Sequence, residues 1–167
     1  MKIHINFNRS RFLYAILTSF LALIYLFVLL LFFHFQKIHF AALGSSAFAV
    51  FALPSMKSSR NKNLIGSYLI AIAMGMLFTS FDFIFDIHHT VFYESLFGAL
   101  AVAFTIILEI LFSFEHPPSA GVALGLLISP WNVFTILSLI IAICLLALYR
   151  IGVEKMKLYL LKKRTNK

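Results

Sequence analysis

A chain of 167 residues that is 62% hydrophobic, 16% aromatic and only 12% charged, with a mean hydropathy of +0.97, falls far short of the roughly 25% charged residues of a soluble domain. Soluble enzymes and soluble nucleic-acid binders are excluded, and the composition reads as an integral membrane protein. The net charge is +8, and apart from Lys37 the basic residues sit at the two chain ends and in one loop, a distribution that orients a chain in a bilayer rather than gripping nucleic acid.

Residues 1–11 carry Lys2, Arg9 and Arg11 and read as a cytoplasmic N-terminal segment. Phe12 to Phe33 is uncharged over 22 residues, too long for a signal-peptide apolar region, so it is read as a retained anchor and first span. Ile38 to Leu53, between Lys37 and Pro54, would cover about 24 Å as a helix. Gly44-Ser45-Ser46 inside it predicts a break followed by a serine-capped short helix. The loop Pro54 to Asn63 holds Lys57, Arg60 and Lys62 and no acid, which places it in the cytoplasm. Leu64 to Phe81 is the next span. The loop Asp82 to Phe92 holds Asp82, Asp86, His88 and His89 and no Lys or Arg, so it lies outside. Its histidines lack a metal-ligand spacing and are read as an ordinary polar loop rather than a metal site.

Tyr93 to Phe114 is the following span, and Glu109 lies inside it. An acid within a span is costly and functional by default. Glu109 either takes up a proton, pairs with a cation near the cytoplasmic face, or reaches interfacial water. Glu115-His116-Pro117-Pro118-Ser119-Ala120-Gly121 then forces a break, because two prolines cannot both sit inside a helix. Pro118 suits a first helical position and Ser119 can satisfy first-turn amides. A short helix over Ser119 to Ser129, about 16 Å long, starting at depth would turn its free amides toward an anion. Glu115 and His116 flank the break; Glu115 is a further proton-coupling candidate, and His116 could titrate, hydrogen-bond a solute or serve as a loop residue. Trp131 to Tyr149 is the last span. Cys144 within it is a small hydrophobe, and no disulfide, zinc site or cofactor is implied. The basic tail at residues 152–167 is expected along the anionic inner leaflet.

Both termini inside require an even number of crossings. The basic and acidic loops then require both short runs to cross. The reading is one transmembrane domain over residues 1–167, an all-α helical bundle of six crossings at residues 12–151 with two short or broken helices. Ser46-Ala47 against Ser119-Ala120, and Asn63-Leu64-Ile65 against Asn132-Val133-Phe134, suggest a three-plus-three inverted repeat, an architecture recurrent in transporters. Gly121 with Gly125, and Ala71 with Gly75, allow close helix packing within a subunit or across a homo-oligomer.

His116-Pro117-Pro118 followed by small residues resembles the signature of the HPP family of integral membrane proteins. The likeness extends to Gly44-Ser45-Ser46 through Ala52-Leu53-Pro54 and to Lys62-Asn63-Leu64-Ile65-Gly66-Ser67-Tyr68, where Gly-His is common in place of Ser67-Tyr68. Family proteins are usually described with four spans, against six here. The resemblance implies transport, and some members are assigned to nitrite. The expectation is therefore a multi-pass cell-membrane transporter or channel for a small inorganic anion, without enzymatic activity. Its expected substrate residues are Gly44, Ser45, Ser46, His116, Pro117, Pro118, Ser119, Ala120 and Gly121, at two facing helix starts near the midplane. The alternative is a non-transporting scaffold or sensor module, in which the same breaks serve packing alone.

Overall fold

The computed structural model describes residues 9–32, 37–84, 91–129 and 131–165. Among these the chain forms six α-helices: α1 (Arg9–Phe32), α2 (Lys37–Ala52), α3 (Asn61–Ile84), α4 (Val91–Leu111), α5 (Ala120–Ile128) and α6 (Val133–Thr165). Single 3₁₀ turns at Lys57–Ser59 and Pro117–Ser119 precede α3 and α5. Four helices, α1, α3, α4 and α6, are long and apolar enough to cross a membrane, and α2 and α5 are shorter apolar helices. Large apolar side chains such as Phe20 and Leu23 on α1, Ile107 and Ile110 on α4 and Leu137 and Leu148 on α6 face outward, as lipid contact requires and water would not tolerate.

The six helices alternate in direction. The Tyr14 hydroxyl near the start of α1 donates to the Phe51 carbonyl at the end of α2, at 2.9 Å. Arg150 of α6 reaches the Pro54 carbonyl after α2 and Asn61 at the start of α3. Lys57 pairs with Glu115 beyond the end of α4. At the opposite end, Thr79 of α3 donates to the Leu126 carbonyl of α5. Lys57, Arg60, Lys62 and Arg150 thus share one end of the bundle, as the charge argument expected.

Local chemistry explains the element ends. Helix α4 stops at Leu111, five residues before His116, so the prolines do not terminate it. Ser113 takes a left-handed conformation with φ 55°, its amide bonds the Ile110 carbonyl, and the Phe114 amide bonds the Glu109 carbonyl. That is a Schellman cap with serine where glycine is usual. Helix α6 begins where the Asn132 side chain accepts the Thr135 amide at 2.9 Å, a side-chain N-cap. It continues without a break to Thr165, so the basic tail extends the last span.

The expectation of a break fails at α2. The helix runs from Lys37 to Ala52 straight through Gly44, Ser45 and Ser46, with no glycine at positive φ. Neighbouring alanines favour helix and offset the single glycine, and the Ser45 hydroxyl turns back onto the Ala41 carbonyl within the helix. No helix starts here. The long–short–long order of helices recurs in both halves, but the residues matched in the repeat do different work. Ser46 is mid-helix and Ser119 is at a break; Asn132 caps α6, whereas Asn63 lies inside α3 and donates to the Glu115 carbonyl.

The core joins the two halves. Tyr25, Phe51 and Tyr149 meet edge to face, with centroids 6.0 to 6.3 Å apart, and clamp α1, α2 and α6 together. Gly75 lets α5 approach α3 closely, since a Cβ there would lie 2.9 Å from the Ala123 carbonyl oxygen. The small-residue packing expected from Gly75 is thus made within one subunit.

Candidate functional site

The break between α4 and α5 carries His116 into the bundle, where its ring is fully buried. Nδ1 lies 2.8 Å from the Ser58 carbonyl oxygen, an acceptor only, so Nδ1 carries the proton. Nε2 lies 2.8 Å from the Ser46 hydroxyl, which is 2.7 Å from the Tyr68 hydroxyl. With a neutral ring the protons run one way: Tyr68 donates to Ser46, Ser46 donates to Nε2, and Nδ1–H donates to Ser58. Each of these polar contacts is then satisfied. A charged ring would make Nε2 a donor, reverse the Ser46 hydroxyl toward Tyr68, and require a new acceptor for the phenol.

Helix geometry sets the depth of this chain. Ser46 lies six residues before the end of α2 and Tyr68 seven residues into α3, so both sit about 10 Å inward from the basic end. Above them the turn at Lys57–Ser59 folds back onto the bundle, where the buried Ser59 hydroxyl bonds the Ala49 carbonyl at 2.8 Å. The Lys57–Glu115 pair at 2.9 Å closes its rim.

The second cluster is on the other side of residue 116. Glu109 is 5% exposed, so it is neither an interfacial carboxylate reaching water nor, among the described residues, paired with a cation. One oxygen accepts the His116 amide at 3.2 Å and the other bonds the Ser119 hydroxyl. The Ser119 oxygen also lies 2.6 Å from the His116 carbonyl. Ser119 therefore makes no side-chain cap to first-turn amides. The start of the short helical segment is instead answered by a carboxylate of the chain itself, a favourable place for negative charge.

The structure brings together Ser46, His116 and Ser119 of the expected substrate residues, along with Glu109. Gly44 has nothing within 4 Å of an added Cβ, and Ser45 is exposed, so neither faces the site. Pro117 is exposed and Pro118 half-buried, shaping the turn rather than lining it. Ala120 and Gly121 begin α5, with Gly121 against Ala42 of α2. Glu115 is a rim carboxylate paired with Lys57, not a buried one. The pair of facing helix starts does not exist, because α2 has no start at Gly44. Asp86, His88 and His89 lie outside the described residues, and no group of three His, Cys, Asp or Glu able to hold a metal is found among those that are described.

Sequence reasoning missed Tyr68, Asn63 and Ser58 as partners of the break. In the sequence, position 68 stands out only as a departure from a string that often ends in histidine. Its phenol occupies the place facing His116, with ring centroids 6.0 Å apart.

Residues 5–158 match the family model described as HPP, transmembrane region. No curated protein matches the chain, and no solved structure does.

Proposed function

Since the chain belongs to the HPP transmembrane family, we propose that it is a multi-pass transporter or channel for a small solute, a small inorganic anion such as nitrite being the first candidate. The observation that carries this reading is the buried polar set at the break: Glu109, His116, Ser119, Ser46 and Tyr68, all 5% exposed or less. Packing alone does not call for a carboxylate and an imidazole inside a membrane bundle, where such groups are costly and mark solute or proton paths. By the positive-inside rule, the end bearing Lys57, Arg60, Lys62 and Arg150 faces the cytoplasm; the short helices α2 and α5 complete six crossings, and the tail meets anionic inner-leaflet lipid.

The mechanism follows from one proton. The Ser119 hydroxyl has one hydrogen and two acceptors, a Glu109 oxygen and the His116 carbonyl. A charged Glu109 takes that hydrogen. A protonated Glu109 donates to the Ser119 oxygen instead, and the serine hydrogen turns to the His116 carbonyl. Proton uptake thus shifts a hydrogen bond onto the backbone of the residue whose side chain holds Ser46, which links proton occupancy to the conformation of the break. No covalent chemistry is invoked.

One observation favours a packing role in a scaffold or sensor module: His116 and Ser46 are bonded directly at 2.8 Å, which leaves no room for a solute between these two atoms. As a transporter the protein is therefore occluded in this state. Uptake of nitrite, nitrate and formate into proteoliposomes under an imposed pH gradient decides between the two. Transport predicts saturable uptake of at least one anion, with the pH dependence lost in Glu109→Gln. No uptake of any of the three, by protein that is folded and correctly inserted, overturns the proposal in favour of the scaffold.

A further inference from the structure

His39 lies two residues into α2, at the far end of the bundle from the basic loop. It is fully buried, and neither ring nitrogen has a hydrogen-bond partner among the described residues. Native interiors leave few polar side chains unpaired, and an orphan marks a ligand, a water or a functional strain. Here both polar atoms of one side chain are orphaned, inside a membrane bundle where apolar alternatives abound.

Its position is informative. His39 precedes Ser46 by seven residues, two helical turns, so the two lie on one face of α2 about 10 Å apart along its axis. The residues between them on that buried face include Ala42 and Leu43, and Ala42 meets Gly121 of α5, where an added Cβ would lie 3.5 Å away. A fully satisfied imidazole, His116, thus stands near one end of the buried α2 face that carries Ala42 and Leu43, and an unsatisfied one stands near the other. We propose that His39 is a second solute-binding side chain on the same path, its ring N–H donating to an acceptor oxygen of a small oxyanion or neutral polar molecule. The Ala42–Gly121 contact is the closed constriction between the two stations. This rests on the transport reading above.

The test uses the full chain in lipid nanodiscs with ring-¹⁵N-labelled histidine, the His39 signals being assigned by their loss in His39→Gln. Sodium nitrite, sodium formate and urea are titrated separately, the first two probing an oxyanion and the third a neutral acceptor. Saturable shifts at both His39 and His116 with one probe are expected. A shift at His116 without one at His39 overturns the second station and leaves the transport reading standing; no shift at either with any probe removes both. His39→Leu provides a second measure. The unpartnered imidazole adds no hydrogen bond to the fold and leucine fills a similar buried volume, so this variant is expected to unfold no more easily than the parent. Uptake of the transported probe should nonetheless fall about tenfold, as for one lost hydrogen bond to the solute. Unchanged uptake, or a loss of stability in place of a loss of uptake, makes His39 a packing residue.

Discussion

Two adjacent serines on α2 provide a sharp test of the site, because the structure gives them opposite roles. Ser46 is buried and bridges Tyr68 and His116 at 2.7 and 2.8 Å, whereas Ser45 is exposed and bonds the Ala41 carbonyl of its own helix. Ser46→Ala orphans two buried groups. A membrane hydrogen bond is worth about 0.6 kcal/mol on average and up to about 1.7 in double-mutant cycles, so losing two costs about 1 to 3 kcal/mol. That range is preferred to the larger penalty for orphaned groups in water-soluble cores, because a chain unfolded within the bilayer also finds partners. Ser45→Ala should stay within about 0.5 kcal/mol of the parent. The gain in helix propensity from serine to alanine is common to both variants and cancels in the comparison. Reversible unfolding in bicelles measures the difference, and a double cycle with Tyr68→Phe should give a coupling energy of about 0.6 to 1.7 kcal/mol. If the two alanine variants unfold within about 0.5 kcal/mol of each other, the hydrogen-bonded chain through Ser46 is not the arrangement that holds His116.

Glu109→Gln should leave stability within about 1 kcal/mol, since the amide can accept from the His116 amide and donate to Ser119, while abolishing the pH dependence of uptake; Glu109→Ala, which orphans the His116 amide, should destabilise by about 1 to 3 kcal/mol in the same unfolding assay. Gly44→Ala should be stable and active because its Cβ meets open space, whereas Gly75→Ala, whose Cβ would lie 2.9 Å from the Ala123 carbonyl oxygen, should cost about 1 to 3 kcal/mol as α3 and α5 are forced apart. Ser113→Gly should stabilise the Schellman cap by about 1 kcal/mol, as relief of a left-handed serine, read as a higher unfolding midpoint. With Cys144 replaced, cysteines at Met56 and Glu94 should label with an impermeant reagent from opposite faces of the membrane; labelling of both from one face would refute the alternating bundle.

The membrane class, the long spans and the shared basic end were legible because lipid demands uninterrupted apolar length and because Lys and Arg cluster in few places. The break at His116-Pro117-Pro118 was legible because proline lacks an amide hydrogen. Gly44 misled for the converse reason: a glycine permits a break without demanding one, and nothing around it in α2 enforces it. Of the partners of His116, Ser46 was grouped with it in one expected site, but Ser58 and Tyr68 could not be read. Ser46, Ser58 and Tyr68 come from α2, the following turn and α3, and only tertiary packing brings them within 3 Å of one another or of the imidazole. Glu109 was flagged by its burial in a span, but the register between α4 and the break, which carries it to Ser119 ten residues on, depends on the Schellman turn at Ser113. No propensity for serine announces that turn.

The Glu109 carboxylate at the head of the short helical segment also makes the protein its own competitor. Tethered groups act at effective concentrations in the millimolar range or above, so any free anion approaching the amide of His116 meets a resident rival that never diffuses away. The apparent affinity for such an anion is reduced by the fraction of molecules in which the rival is bound. Weak equilibrium binding to the resting protein would therefore understate the intrinsic strength of the site, and a variant without the carboxylate would hold an anion more tightly than the parent does.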